Sequence, residues 1–343
     1  MKALLLAEYN RLIYTDISQP LLAPGEVLVA VEACGICGSD VHGVDGSTGR
    51  RVPPLVMGHE ASGVINALGP DVQGWAVGDR VTFGCVIHCT HCYHCRRGQP
   101  QLCDGRRWLG VSIPGVRKDG AFAEYVAVPQ QILFGVPDGV SFERAAMMEP
   151  LTIAAHAVAR TPLDLYDSAV VVGAGMIGLL VIQLLKAAGC GQVIAVDVNP
   201  ARLALAERFG ATVLLRPDLD DVPAAVARLC AGRGADVAFE AVGTGATVNL
   251  ALTSLRKGGS LTLIGNLAQR VDLPLQEMVI RELTLRGTTN AAHEWDACLQ
   301  MLARGVVEVD PLISMIAPLR EGVGWFDRLL KGDPGLMKVI LKP

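Results

Sequence analysis

VVVGAGMIG, residues Val170–Gly178, reads as an apolar strand that breaks at Gly173 and restarts as a helix near Met176. Gly173, Gly175 and Gly178 have the G-x-G-x-x-G spacing of a dinucleotide site. The first glycine allows a tight turn, the second lets a pyrophosphate approach the backbone, and the third lets helix and strand pack closely. The helix start at Met176 and Ile177 then offers free N–H groups and a partial positive charge to phosphates. A second strand, Val193–Val198 (VIAVDV), brings Asp197 to its end, 19 residues after Gly178. A carboxylate there accepts from both ribose hydroxyls and repels a 2′-phosphate, which favours NAD over NADP. The competing reading, a plain βαβ turn without ligand, leaves the acid and its spacing unexplained.

Outward from this stretch the pattern is regular. Strands at 169–172, 193–198, 211–215, 236–241, 260–264 and 283–285 alternate with helical segments at 176–188, 201–209, 222–230 and 246–255. Such alternation predicts right-handed crossovers and a six-stranded, parallel, doubly wound α/β sheet. Gly243 and Gly265 follow two of these strands, where crevice-lining turns belong, and Arg202 could flank an adenine or simply be a solvated helix arginine. Residues before about 145 are instead rich in short strands (27–33, 62–68, 80–83) and in turn signals such as Pro24-Gly25 and Gly78-Asp79. A compact, barrel-like β domain is expected there, with a link at 137–145. After about 292 a helix (295–302), a less regular tail and a last strand (338–341) are expected to return to the first domain. The expected division is 1–148 plus 293–343 against 149–292.

The chain has 343 residues, 51% of them hydrophobic, enough for two cored domains. A net charge of −4, with aromatics at 5% and no basic run, argues against nucleic acid. Residues 169–185 carry no charge, but the glycine motif and Gln183 make them strand plus helix rather than a membrane span. No targeting segment is read at the N-terminus, and a cytoplasmic protein is the expectation.

Four of the ten cysteines crowd into Cys89-x2-Cys92-x2-Cys95-x7-Cys103. That is metal spacing rather than a disulfide framework. A closed all-thiolate shell leaves no open position for chemistry, so a structural zinc is predicted, with an iron–sulfur cluster as the alternative. Arg96, Arg97, Arg106 and Arg107 could offset the formal charge of four thiolates. His88, His91 and His94 are read as solvated loop side chains, and Cys85 as a core thiol or spare ligand.

A second set is scattered: Cys37 after an apolar strand, His59-Glu60 after Met57-Gly58, and Glu149 before Pro150. One Cys, one His and one carboxylate leave a fourth zinc position open for water or substrate. Spacing alone also allows the reading that these are core residues.

Along essentially its whole length the chain resembles the zinc-dependent medium-chain dehydrogenases, and most closely their polyol (sorbitol-type) branch. It is similar also to galactitol-1-phosphate and threonine dehydrogenases. The resemblance is carried by CGICGSDVH (34–42), GHEASG (58–63), GDRV (78–81), the four-cysteine lobe, GAFAEY (120–125), EPL (149–151) and GAGMIG. It implies a GroES-like β-rich catalytic domain, an NAD domain and a cleft between them. It implies Cys37 and His59 as catalytic zinc ligands, with Glu60 and Glu149 as carboxylates able to complete or exchange in the shell. A glutamate at 149, where the alcohol dehydrogenase branch has cysteine, points to the polyol or threonine side. Cys37 thiolate plus one glutamate neutralises Zn²⁺, so one of Glu60 and Glu149 is expected to leave or act through water when substrate binds.

The expected reaction is oxidation of a polyol's secondary alcohol by NAD, giving the ketose. Ser39 could take the alcohol proton, or be a turn hydroxyl; His42, in the resembling family, hands the proton on through the cofactor ribose, or is a surface histidine. Threonine, a vicinal diol of the 2,3-butanediol type, a simple secondary alcohol and a phosphorylated polyol such as galactitol 1-phosphate are the alternative substrates. A non-enzymatic NAD-sensing protein is disfavoured by the intact Cys37, Ser39, His59 and Glu149. Arg50-Arg51 is read as a solvated loop pair, with an anionic substrate as the alternative. Thr288-Thr289-Asn290 departs from the aromatic and arginine that polyol dehydrogenases carry near that position, which puts cofactor or subunit contacts there in doubt. The family resemblance implies a homo-oligomer, a tetramer or else a dimer.

Overall fold

A computed structural model describes residues 1–343 and divides them into two compact units. One comprises Met1–Pro150, Ala292–Gly305 and Val309–Pro343; the other comprises Leu151–Ala291 and Val306–Glu308. Glu149 and Pro150 thus fall in the first unit, just outside the boundary read from the sequence.

The first unit is built on a seven-stranded sheet. Its centre is the long strand Glu26–Gly35, which pairs antiparallel with Glu60–Leu68, Tyr125–Pro129 and the C-terminal strand Lys338–Lys342. The register sets Gly35 opposite both Glu60 and Ile340. The C-terminal strand therefore meets the strand Glu26–Gly35 where the candidate metal residues emerge. Val27, Val29, Ile65, Val81, Phe83, Phe122 and Leu341 are fully buried in the core beneath.

Two expectations for this unit need correction. The stretch read as a link contains the helix Phe142–Ala146, capped by Ser141, whose side chain accepts from Arg144 N–H. The tail read as irregular holds a strand, Ile313–Pro318, and a helix, Gly322–Leu330. Two glycines hide that helix from propensity, but Phe326 buries itself in the core and Trp325 and Leu329 pack on it.

The second unit carries six parallel strands in the order Val213–Leu215, Gln192–Val196, Ser168–Val172, Ala235–Glu240, Leu255–Leu263, Thr284–Gly287. In chain order this is 3-2-1-4-5-6, with the glycine motif on the first strand beside the point where the order reverses. The inner strands Ser168–Val172 and Gln192–Val196 are Val- and Ile-rich and buried on both faces, as helix-covered parallel strands must be. The fifth strand begins at Leu255 rather than Ser260. It runs through Gly258-Gly259, and its ladder with the fourth strand shifts register between Ala235 and Val237. No helix is long and apolar enough to cross a membrane.

Candidate active site

The ligand atoms of Cys37, His59 and Glu60 lie within 4.8 Å of one another. Cys37 precedes the short helix Gly38–Val41; His59 immediately precedes, and Glu60 opens, the strand Glu60–Leu68. The ladder that sets Gly35 against Glu60 brings the two segments together.

The charges around this group are arranged in pairs. Lys338 Nζ donates to Glu60 Oε2 at 2.5 Å and to the Ile36 carbonyl at 3.0 Å, with both side chains buried. Burial would depress the Lys338 ammonium, but Glu60 foremost, then Cys37, keep its pKa above the ordinary value. On the other side His59 Nδ1 lies 3.4 Å from Asp40 Oδ2. Both atoms are buried and have no hydrogen-bond partner of good geometry. Burial opposes ionisation of Asp40, yet the charges of His59 and Arg51, with the hydrogen bonds from Arg51, hold its pKa at about 2. Arg51 Nε and Nη2 both donate to Asp40 Oδ1, at 3.1 and 2.8 Å.

Asp40 and Lys338 were not picked out in the sequence. Asp40 lies inside the CGICGSDVH motif and was legible as an acid there. Lys338 had no local signal. Arg51 corrects an expectation: it is 4% exposed and ion-paired, not solvated, while Arg50 is exposed. Loop position misled, because the partner acid sits in a different segment.

Glu149 stands outside the three-residue group. It is buried in the first turn of the helix Met148–Arg160 and accepts from the Cys85 thiol at 3.3 Å. Burial first, then the nearby Glu60 charge, raises its pKa. Cys85 therefore belongs beside Glu149. Ser39 is exposed; its hydroxyl donates to Cys37 Sγ at 3.3 Å and accepts from Arg51 Nη2 at 3.3 Å. His42 is exposed at the end of the same short helix.

The four sulfurs of Cys89, Cys92, Cys95 and Cys103 also converge within 4.8 Å. Backbone N–H groups of Cys95 and Asp104 hold the Cys92 thiol at about 6, while burial pushes Cys95 up to about 12. Arg97 and Arg106 lie over the rings of Tyr93 and Trp108. Both donor sets suit zinc: soft sulfur and imidazole at convergent positions, with an aspartate behind the histidine to orient it.

In the second unit each motif glycine has a distinct environment. Gly173 has φ +97°, in the left-handed region. A Cβ on Gly178 would lie 1.8 Å from the Gly173 carbonyl oxygen, whereas one on Gly175 would meet nothing within 4 Å. The open face at Gly175 fits an approaching pyrophosphate, beside the helix start at Met176 and Ile177. Asp197, buried just past its strand, accepts from Ala174 N–H at 2.7 Å and Asn199 N–H at 2.8 Å. Arg202 Nη1 lies 3.9 Å from Asp197 Oδ2. Gly243 and Gly265 let two strand-end loops touch: a Cβ on either would lie within 2.3 Å of the other loop's backbone. Buried Glu240 closes the first of these loops by accepting from Val242 and Gly243 N–H, a role the sequence did not suggest.

Residues 23–138 match the alcohol dehydrogenase GroES-like domain, and residues 177–304 match the zinc-binding dehydrogenase family. A sorbitol dehydrogenase of Bacillus subtilis is 33% identical over 100% of this chain and 97% of its own length. A D-arabitol-phosphate dehydrogenase of Enterococcus avium is 32% identical over 95% of this chain and 92% of its own. The solved alcohol dehydrogenase of Thermus sp. ATN1 superposes with a TM-score of 0.93 at 31% identity, covering 100% of this chain and 99% of that one. With coverage of this kind across both units, the chain belongs to the zinc-dependent medium-chain dehydrogenases of the alcohol dehydrogenase type.

Proposed function

We propose that this enzyme oxidises a secondary alcohol of a polyol with NAD. The observation that carries the reading is the convergence of Cys37, His59 and Glu60 beside the Ser39 hydroxyl. Cys37, His59 and Glu60 would hold the catalytic zinc, with Glu149 as a carboxylate in reserve, and the four-cysteine lobe a structural zinc. When bound, zinc supplies Lewis-acid activation of a hydroxyl, whose pKa can fall from about 16 towards about 7, and NAD accepts the hydride. Ser39 Oγ accepts the hydroxyl proton and passes its own towards His42 and solvent. Asp40 orients the His59 ring, and Lys338 offsets the charge of Glu60. That offset supports Glu149, rather than Glu60, as the carboxylate that stays away during turnover.

The cofactor is read over Gly173–Gly178, with its adenosine ribose on Asp197, its adenine flanked by Arg202 and its far end near Gly243 and Gly265. Asp197→Ala is expected to relax the preference for NAD over NADP by about 10-fold or more in kcat/KM. It also removes a charged acceptor from two backbone donors, so stability should fall by about 2 kcal/mol. Parallel NAD and NADP kinetics, with a urea midpoint, check both; an unchanged cofactor ratio would remove Asp197 from the site.

The deciding experiment is NADH formation against polyols, polyol phosphates, threonine, vicinal diols and simple secondary alcohols, before and after chelation. Turnover of one polyol, lost on chelation and restored by zinc, is the expected result. Preferential turnover of a phosphorylated polyol would bring in exposed Arg50 and replace the free polyol. NAD binding and full zinc without turnover of any alcohol would favour a sensing role. The exposed Leu275, Val279 and Ile280, close in sequence to the edge strand Thr284–Gly287, support a homo-oligomer.

A further inference from the structure

Arg51 is buried to a degree rare for arginine and has more partners than an ion pair needs. Its loop is pinned to the strand Val111–Ile113: Val52 N–H donates to Ser112 O, and Ser112 N–H to Arg50 O, both at 3.2 Å. Its side chain forks onto Asp40 Oδ1, donates Nη1 to the Arg50 carbonyl at 3.2 Å, and donates Nη2 to Ser39 Oγ at 3.3 Å. Its stem passes Gly43, where a Cβ would sit 2.4 Å from Arg51 Cγ. Bracing a loop would require neither a buried cation, which is expensive to desolvate, nor its reach to an exposed serine hydroxyl.

We propose that Arg51 is a positioning residue shared by the metal shell and the proton path, fixing Asp40 behind His59 with one part of its guanidinium while orienting the Ser39 hydroxyl with the other. This rests on the dehydrogenase reading above. A hydroxyl has two lone pairs and one proton. With one lone pair held by Nη2–H, the other is left for the substrate's O–H, and serine's own proton is directed away from the cation. In the relay the substrate's O–H bond breaks as an O–H bond forms at Ser39 Oγ, and serine's own proton, directed at Cys37 Sγ in the resting site, turns from the sulfur and leaves by way of solvent towards His42. The guanidinium stabilises negative charge that develops on Oγ if the proton leaves first. A lysine could satisfy Asp40 but has no planar fork to serve both partners.

The test uses Arg51→Gln and Arg51→Lys in the full chain. Three quantities are read: zinc retained under chelation, the visible spectrum after cobalt exchange, and kcat and KM in light and heavy water. Arg51→Gln is expected to lose metal from the His59 site about 10- to 100-fold more readily, keep the zinc of the four-cysteine lobe, and shift the cobalt bands. Its kcat should fall about 100-fold, with KM for NAD unchanged and a larger solvent isotope effect. Arg51→Lys should retain metal like the parent yet keep the low kcat and the enlarged isotope effect. Parent-like kcat and isotope effect in either folded variant overturn the proposal, whatever the metal does. If Arg51→Gln does not fold, Arg51→Lys carries the test. If the parent oxidises no alcohol, the dehydrogenase reading has failed instead. Cobalt bands and metal retention are still read without substrate, and parent-like values in Arg51→Gln overturn the proposal there too.

Discussion

Cys37→Ala is expected to abolish alcohol oxidation while leaving the fold and the four-cysteine lobe intact. Cys37 is half-buried and caps its short helix without a side-chain hydrogen bond to the backbone. Its sulfur accepts from the Ser39 hydroxyl, which as an exposed group can turn to water. Stability should therefore change by no more than about 1 kcal/mol. The chemical loss is far larger. Without the thiolate the group keeps one imidazole and one carboxylate, and that carboxylate is already paired with Lys338. Zinc can lower a hydroxyl's pKa by about nine units, so losing only half of that advantage costs about 10⁴-fold or more. Metal analysis should show the loss of about one zinc per chain, since the all-cysteine shell is independent of Cys37. Turnover surviving in Cys37→Ala would place the catalytic metal elsewhere.

The parts of this site that could be read from sequence are those whose geometry is local. The glycine turn is a single strand–helix junction, and the four-cysteine lobe spans a loop of 15 residues, Cys89–Cys103. Both are specified by spacing, so spacing finds them. The partners that set the electrostatics are not local. Lys338 meets Glu60 across 278 residues because the C-terminal strand pairs with the strand ending at Gly35. Arg51 meets Asp40 across 11 residues of glycine-rich loop with no periodicity to read. Strand ends blur for a similar reason. The start of Leu255–Leu263 lies between the helix read to 255 and the strand read from 260: Arg256, Lys257, Gly258 and Gly259 interrupt the apolar run, and the ladder that pairs Leu255 with Ala235 resumes only at Ser260. Local pattern fixed which segments carry chemistry, while sheet register fixed which charges face them.

The three motif glycines look alike in sequence, but the structure predicts opposite outcomes for two of them. At Gly178 a methyl would sit 1.8 Å from the Gly173 carbonyl oxygen and 2.9 Å from its carbon. That obstacle is backbone, held by the Gly173 N–H bond to the Val196 carbonyl at 2.8 Å, so it cannot swing aside. Gly178→Ala must push the helix Met176–Ala187 off its strand, opening a core that includes the fully buried Val170, Val171, Leu179 and Ile182. A loss of about 3 kcal/mol or more is expected, with NAD binding lost as well. Gly175→Ala should behave otherwise. Gly175 has φ −75° and ψ −169°, which alanine adopts without strain, and open space where its Cβ would stand. The thermal midpoint should hold or rise slightly, because alanine restricts the unfolded chain by about 0.4–1 kcal/mol. The new methyl nevertheless occupies the face a pyrophosphate needs, and NAD affinity should fall at least about 10-fold. Thermal unfolding and NADH fluorescence titration of the two variants separate packing from ligand approach. Unimpaired NAD binding by Gly175→Ala would mean that the cofactor does not lie over this turn.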